Sequence, residues 1–271
     1  MAFDPEAVRA FEHARWEQAA ALYADTFAGA TRPFIEPLLD AAHVTKATML
    51  LDIACGPGFV AGRALARGAI ARGLDFSSAM LAVARAREPS IQFDEADAES
   101  LPYDDSSLDA VASNFGIHHL PRPSRALQEA YRVLRAGGRL AFSFWAAPAE
   151  NIGWKLVFDA VARHGDRDAA QAPAPGGGFG MTAQCAGALR EAGFFDCTTQ
   201  LVRATWPHPE AAALVGALRA GTARMAAMLE AQHPDALRAI TADIARNAEA
   251  YRDAKGLAVP VAAVIASGVK A

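Results

Sequence analysis

Residues 49–58 read Met-Leu-Leu-Asp-Ile-Ala-Cys-Gly-Pro-Gly. An apolar run ends in an acid and passes into a tight Gly-Pro-Gly turn. A helical pattern follows at once over 59–67. Strand, loop, helix is the order that opens a nucleotide-binding α/β unit. Gly56 and Gly58 lack a Cβ, so the chain can turn sharply and a ligand can come close to the backbone. The loop also aims the N–H groups of a helix N-terminus at whatever lies above it. It is not a dinucleotide fingerprint, because Ala54 stands where a glycine is needed. Nor is it a phosphate loop, since no Gly-Lys-Ser/Thr follows.

Further signals come in order downstream. Residues 69–76 read as a second short strand ending at Asp75, 19 positions after Gly56. That is close to the roughly 20-residue spacing at which an acid meets a ribose diol in such folds. A carboxylate accepts from both hydroxyls at once. Ser77 reads as the N-cap of a helix over Ser78–Arg87. Phe76 follows the acid, where an apolar side chain can flank an adenine. A third strand over 91–93 leads into an acid-rich stretch with Asp94, Glu95, Asp97, Glu99, Asp104 and Asp105. These read as a solvated loop, Asp97 excepted. A fourth strand over 108–113 runs into Asn114-Phe115-Gly116-Ile117-His118-His119. A helix over 124–134 ends at Ala136-Gly137-Gly138, a C-cap glycine signal, and a fifth strand over 139–145 follows.

In these stretches the chain resembles the class I S-adenosylmethionine (SAM)-dependent methyltransferases. Their first motif is an acid, a small residue and Gly-x-Gly, matched here by Asp52, Ala54, Gly56 and Gly58. The phrase Arg-Val-Leu-Arg-Ala-Gly-Gly-Arg-Leu at 132–140 resembles quinone-biosynthesis-type small-molecule methyltransferases, which usually carry proline where Ala136 stands. The resemblance implies a Rossmann-like, doubly wound α/β fold. It would have seven mostly parallel strands, the last antiparallel, with helical lid insertions. It also implies that Asp97 accepts from the adenine amine while the Ala98 N–H donates to the ring. With Asp75 and Phe76, we place Met80, Asn114 and Tyr23 among the expected SAM contacts. Two other classes stay open: a SAM-fold protein that binds the cofactor without methylating, and a nicotinamide oxidoreductase. Ala54 and the Asp97-Ala98 pair argue against the second.

The chain has 271 residues, 52% hydrophobic and 21% charged, with net charge −4. That length can bury one large core with a cap. No clustered cations suggest nucleic acid as a partner, because phosphate neutralisation needs them. Cys55, Cys185 and Cys197 show neither metal spacing nor a disulfide framework. A reducing cytoplasm fits, and no signal peptide is evident. The apolar run 257–266 is about half a membrane span; its Pro260 argues for a short strand start, and the run reads as a buried strand. Oligomerisation is left open.

The expected organisation is a single methyltransferase domain over 1–271. Residues 1–42 form a helical lid, 43–148 the cofactor core, and 149–180 and 207–256 cap insertions. Residues 181–206 and 257–271 complete the core. An amphipathic helix over 4–28 starts at Asp4, with Pro5 at its first position. Trp16, Ala19, Ala20, Tyr23 and Phe27 share one side of it. Core packing explains such a stripe. The resembled family keeps a lid here, with a Trp and a Tyr over the methionine end of the cofactor. A second helix is expected over 32–42. The glycine-rich run after Pro173 reads as a connector, and Met225 and Met228 as wall or packing of an acceptor pocket.

A sulfonium methyl is already electrophilic, so the protein mainly positions the acceptor and, for a hydroxyl, removes its proton. Histidine suits that near neutral pH. His118 and His119 follow strand four, at the carboxyl edge where ligands bind in open α/β sheets. One of them is the candidate base, and structural histidines are the competing reading. Trp145, Asn151, Trp154, Trp206 and His208 form a weaker group of acceptor-pocket candidates.

Overall fold

The computed structural model describes residues 3–173 and 182–271, with the side chains of Thr182 and Ala183 left aside. The glycine-rich run from 174 on therefore lies outside the described residues.

Helix α1 (Pro5–Tyr23) starts where Asp4 accepts from the Glu6 and Ala7 N–H groups. The helix expected to reach residue 28 stops at Tyr23. A turn and the short α2 (Ala28–Thr31) follow. The expected helix over 32–42 begins as a 3₁₀ turn at Arg32–Phe34, which contains Pro33, and becomes α3 only over Ile35–Ala41.

The core alternates strand and helix: β1 (Met49–Ile53), α4 (Phe59–Ala66), β2 (Ile70–Asp75), α5 (Ser78–Arg87), β3 (Gln92–Glu95), β4 (Leu108–Asn114) and α6 (Pro123–Val133). Then come β5 (Leu134–Trp145), α7 (Ile152–His164), α8 (Thr182–Glu191) and β6 (Phe195–His208). The remaining elements are α9 (Ala211–Ala220), α10 (Arg224–Glu230), α11 (Pro234–Ala248), the two-residue β7 (Arg252–Asp253) and β8 (Gly256–Val269). The sheet order is β3-β2-β1-β4-β5-β8-β6, with β7 beside β8. β1 to β5 pair in parallel, and β8 runs antiparallel to both β5 and β6. This is the expected fold, with β7 as an additional short strand. Order reverses between β1 and β4, so their carboxyl ends open a crevice for ligand.

Two local expectations need correction. The Gly137-Gly138 pair does not cap α6. That helix ends at Val133, because Leu134 turns extended and pairs with Leu108. The glycines instead lie in an irregular start of β5, where Gly137 donates to the Lys270 carbonyl. Pro260 does not begin the last strand but lies inside it, opposite Thr205. Ala262 turns its carbonyl toward Ala146, on the β5 side, and Pro260, two residues earlier, faces that same side. β5 pairs only from Ala263 onward, so the missing N–H interrupts no ladder bond there.

Gly58 stands at the N-cap of α4 with φ 79°, and an added Cβ would meet Phe93 Cζ at 2.8 Å. Both the backbone conformation and the ring of β3 oppose a side chain. Gly58→Ala should therefore lower stability by roughly 1–3 kcal/mol, read as a lower midpoint in urea unfolding. A midpoint equal to the parent's would show that Phe93 and α4 reposition freely.

Among the described residues no helix is long and apolar enough to cross a membrane.

Candidate active site

The crevice above β1 and β4 opens into a pocket. Its floor is the 54–57 loop: Ala54, Cys55, Gly56 and Pro57. Gly56 holds φ 51°, and an added Cβ would meet only Met80 Sδ, at 3.9 Å, so its surface is open toward a ligand. Asp52 sits beneath, buried, and accepts from the Ala61 N–H in the first turn of α4 at 3.2 Å. Burial, with a smaller push from Asp75, holds the Asp52 carboxyl well above the usual carboxylate range.

Asp75 ends β2 on the pocket wall. Its Oδ2 accepts from the Gly56 N–H at 2.8 Å and its Oδ1 from the Ser77 N–H at 3.0 Å. It ties the glycine loop to the second strand and lines the pocket. Burial raises its pKa too, against those two donors. Ser77 caps α5 through Met80 N–H, as its position predicts.

Phe76, Met80, Asp97, Ala98, Asn114 and Tyr23 line the same pocket. Gly58 does not, and its place is packing under α4. Asn114 donates to the Thr31 carbonyl and accepts from Ser143 Oγ, so both ends of its amide are engaged. Asp97 is gripped by Arg9 from α1. Glu99, read from sequence as a solvated acid, is only 2% exposed. It accepts from the Arg122 N–H and Nε at 2.7 and 2.9 Å and from Arg9 at 3.3 Å. Burial forces such pairing, because an unpartnered carboxylate away from water is costly.

Helix α1 lies across this pocket. Glu17 accepts from Ser77 Oγ and the Ala79 N–H, and Tyr23 pairs with Thr31. Arg9 and Glu12 escaped the sequence reading. Their spacing with Trp16 (three and four positions) is the helical signal that places all three on one face.

A second, larger cavity of about 1270 Å³ adjoins the first. Phe144, Trp154, Phe158, Met225 and Met228 give it a largely apolar wall. Trp16, Phe27, His119 and Trp145 border both spaces. Of the weaker group, Trp145 and Trp154 line this cavity. Trp206 and His208 instead border a cleft beside Arg32 and Pro209, because β6 runs at the far edge of the sheet. Asn151 is buried and lines neither space.

The two histidines differ. His119 stands with Nδ1 2.9 Å from Glu12 Oε2. His118 borders the larger cavity with its Nδ1 buried and unpartnered. Burial, then the neighbouring His119 and Arg224, hold the His118 pKa well below the ordinary histidine value. It is therefore a neutral ring and a weak proton acceptor.

Comparison with known proteins gives a consistent picture. A model of the methyltransferase domain matches residues 51–142. The demethylmenaquinone methyltransferase of Clavibacter sepedonicus is 40% identical over 119 residues, 42% of this chain and 49% of that protein. The ubiquinone/menaquinone biosynthesis C-methyltransferase of Methylobacterium nodulans is 37% identical over 187 residues, 58% of this chain and 70% of that one. The chain spans about half the length of several such curated relatives. A SAM-dependent methyltransferase structure from Thermotoga maritima covers 96% of this chain and all of its own, at 18% identity and a TM-score of 0.57. At that identity the likeness concerns the fold alone.

Proposed function

We propose, since the chain belongs to the class I SAM-dependent methyltransferases of the ubiquinone/menaquinone-biosynthesis type, that it methylates a small organic acceptor held in the larger cavity. The observation that carries this is the shared wall. Trp16, Phe27, His119 and Trp145 separate, and connect, a pocket that holds the glycine loop with Asp75 and Asp97 and a larger cavity walled by Phe144, Trp154, Phe158, Met225 and Met228.

The smaller pocket fits SAM on its donor set. Asp75 lies where a ribose diol needs an acceptor, Gly56 leaves the backbone open, and Asp97 with Ala98 offers an acceptor and an N–H to an adenine edge. Binding SAM at Asp97 requires Arg9 to share or release that carboxylate. Held there, SAM would supply an electrophilic sulfonium methyl, with its sulfur as leaving group, to the electron pair of an acceptor.

The chain's own residues do the rest. The aromatic wall excludes water and aligns a flat, apolar acceptor. His119 takes the proton of a hydroxyl acceptor at Nε2, because Nδ1 is committed to Glu12. The relative named as a C-methyltransferase of ubiquinone/menaquinone biosynthesis extends the reading to a carbon acceptor, where positioning alone suffices.

Calorimetry tests the cofactor. SAM or its demethylated product should bind, and NAD and NADP should not. A tritiated-methyl assay with hydroxylated and quinol acceptors then tests transfer. Tight nicotinamide binding without SAM binding would overturn the reading.

A further inference from the structure

The buried carboxylate of Glu12 enters the activity derived so far only as the partner of His119 Nδ1. It is 1% exposed, sits in the middle of α1, and meets two hydrogen-bond partners and one cation. Trp16 Nε1 donates to Oε2 at 3.1 Å. His119 Nδ1 lies 2.9 Å from the same oxygen. Arg224 Nε stands 2.6 Å from Oε1, near enough for an ion pair though poorly aimed for a hydrogen bond. An isolated carboxylate would not ionise there, since burial pushes its pKa up. Arg224, together with His119 as hydrogen-bond partner and, when protonated, as counter-charge, outweighs burial and holds it below the usual range. The group is therefore an anion, held in a site built for one.

Beyond neutralising Arg224 and accepting from Trp16, the acid reaches a third group, His119. What the acid does is orient a ring. A carboxylate only accepts, so a neutral His119 must carry its hydrogen on Nδ1 and leave Nε2 free. The Trp16 ring meets the His119 ring edge-on at 4.9 Å and limits its rotation. His119 borders both the cofactor pocket and the acceptor cavity. The element that delivers Glu12 is the helix that lies over the cofactor pocket. It is held there by Arg9 on Asp97, Glu17 on Ser77, and Arg15 on Glu230 of α10.

We propose that Glu12 is a positioning residue for His119. It sets the tautomer that leaves Nε2 basic and stabilises the imidazolium formed when the acceptor hydroxyl gives up its proton. The proposal rests on the methyl-transfer reading with His119 as base. The bookkeeping of the step is simple: the hydroxyl proton moves to Nε2, the Nδ1 hydrogen stays in its bond to Glu12, and the carboxylate is not protonated. The charged and titratable groups around His119 are Glu12 from α1, His118 beside it at 4.1 Å between ring centroids, and Arg224 from α10.

The first measurement needs no variant. ¹⁵N-histidine NMR of the parent at alkaline pH, with His119 assigned by His119→Gln, should show the tautomer protonated on Nδ1. A ring protonated on Nε2 overturns the proposal whatever the activity. In Glu12→Gln the population should move toward the other tautomer, and kcat should fall ~10–100-fold while SAM affinity is kept. In a His119→Ala background the same change should add no further loss. An additive loss would mark a merely structural acid and overturn the proposal, as would a Glu12→Gln protein with parental kcat. If His119→Ala itself retains full kcat, the base reading falls and this proposal with it. If the parent binds no SAM, the methyl-transfer reading falls, and the proposal's catalytic half with it.

Discussion

His119→Ala is expected to slow methyl transfer to a hydroxyl acceptor by ~10²–10⁴-fold, the usual contribution of a poised general base. SAM affinity should stay nearly unchanged, because the ring borders the pocket without closing any of the bonds that Asp75 and the glycine loop make. His118→Ala should stay within about tenfold of the parent. The asymmetry follows from environment. His119 has a carboxylate on Nδ1, whereas His118 has a buried, unpartnered Nδ1 and a depressed pKa. Single-turnover rates of both variants, with calorimetric SAM affinities, check this. Equal losses from the two would defeat the assignment. With a carbon or phenolate acceptor both variants should remain within about tenfold, and methyl transfer by proximity is then the surviving mechanism.

Asp75→Ala is expected to weaken SAM binding about tenfold or more while the fold survives. Hydrogen bonds to a charged acceptor contribute ~1.5–3 kcal/mol each. The change here removes both those to a ribose and those that hold the Gly56 and Ser77 N–H groups. The glycine loop thus loses its tie to β2 at the same moment that the ligand loses its acceptor. Asp75→Asn should be milder, since one amide oxygen can still accept from a backbone N–H. Titration calorimetry beside a thermal melt separates binding from folding. Undiminished affinity in a folded Asp75→Ala protein would move the ribose site elsewhere.

Much of this molecule is written locally. The run 49–58 specifies strand, turn and helix because apolar periodicity and a Gly-Pro-Gly turn act over neighbouring residues. Asp75 sits at the end of β2, Ser77 caps α5, and α5 spans Ser78–Arg87, all read from adjacent residue types. The antiparallel last strand came from family resemblance rather than from any local signal, since pairing direction is a long-range property. Local reading misplaced the Gly137-Gly138 pair for the same reason. A glycine signal says that the chain departs from a helix, and only the partner strand, with Leu108 and Lys270, decides that it departs into β5.

The catalytic arrangement belongs to the other category. By its residue types the sequence determines a glycine loop, two spaced acids and a histidine pair at one sheet edge. It does not determine which histidine is the better candidate base. That is decided by Glu12, 107 positions away from His119 in the chain, and by Arg224 from the other end of it. Glu99 likewise reads as one acid among many until Arg9 and Arg122 close over it. A charged side chain takes its meaning from what neutralises it once water is gone. Periodicity can say that Arg9, Glu12 and Trp16 share a helix face. Only the tertiary structure, by laying that face over the pocket and burying it, turns one of them into the partner of a candidate base.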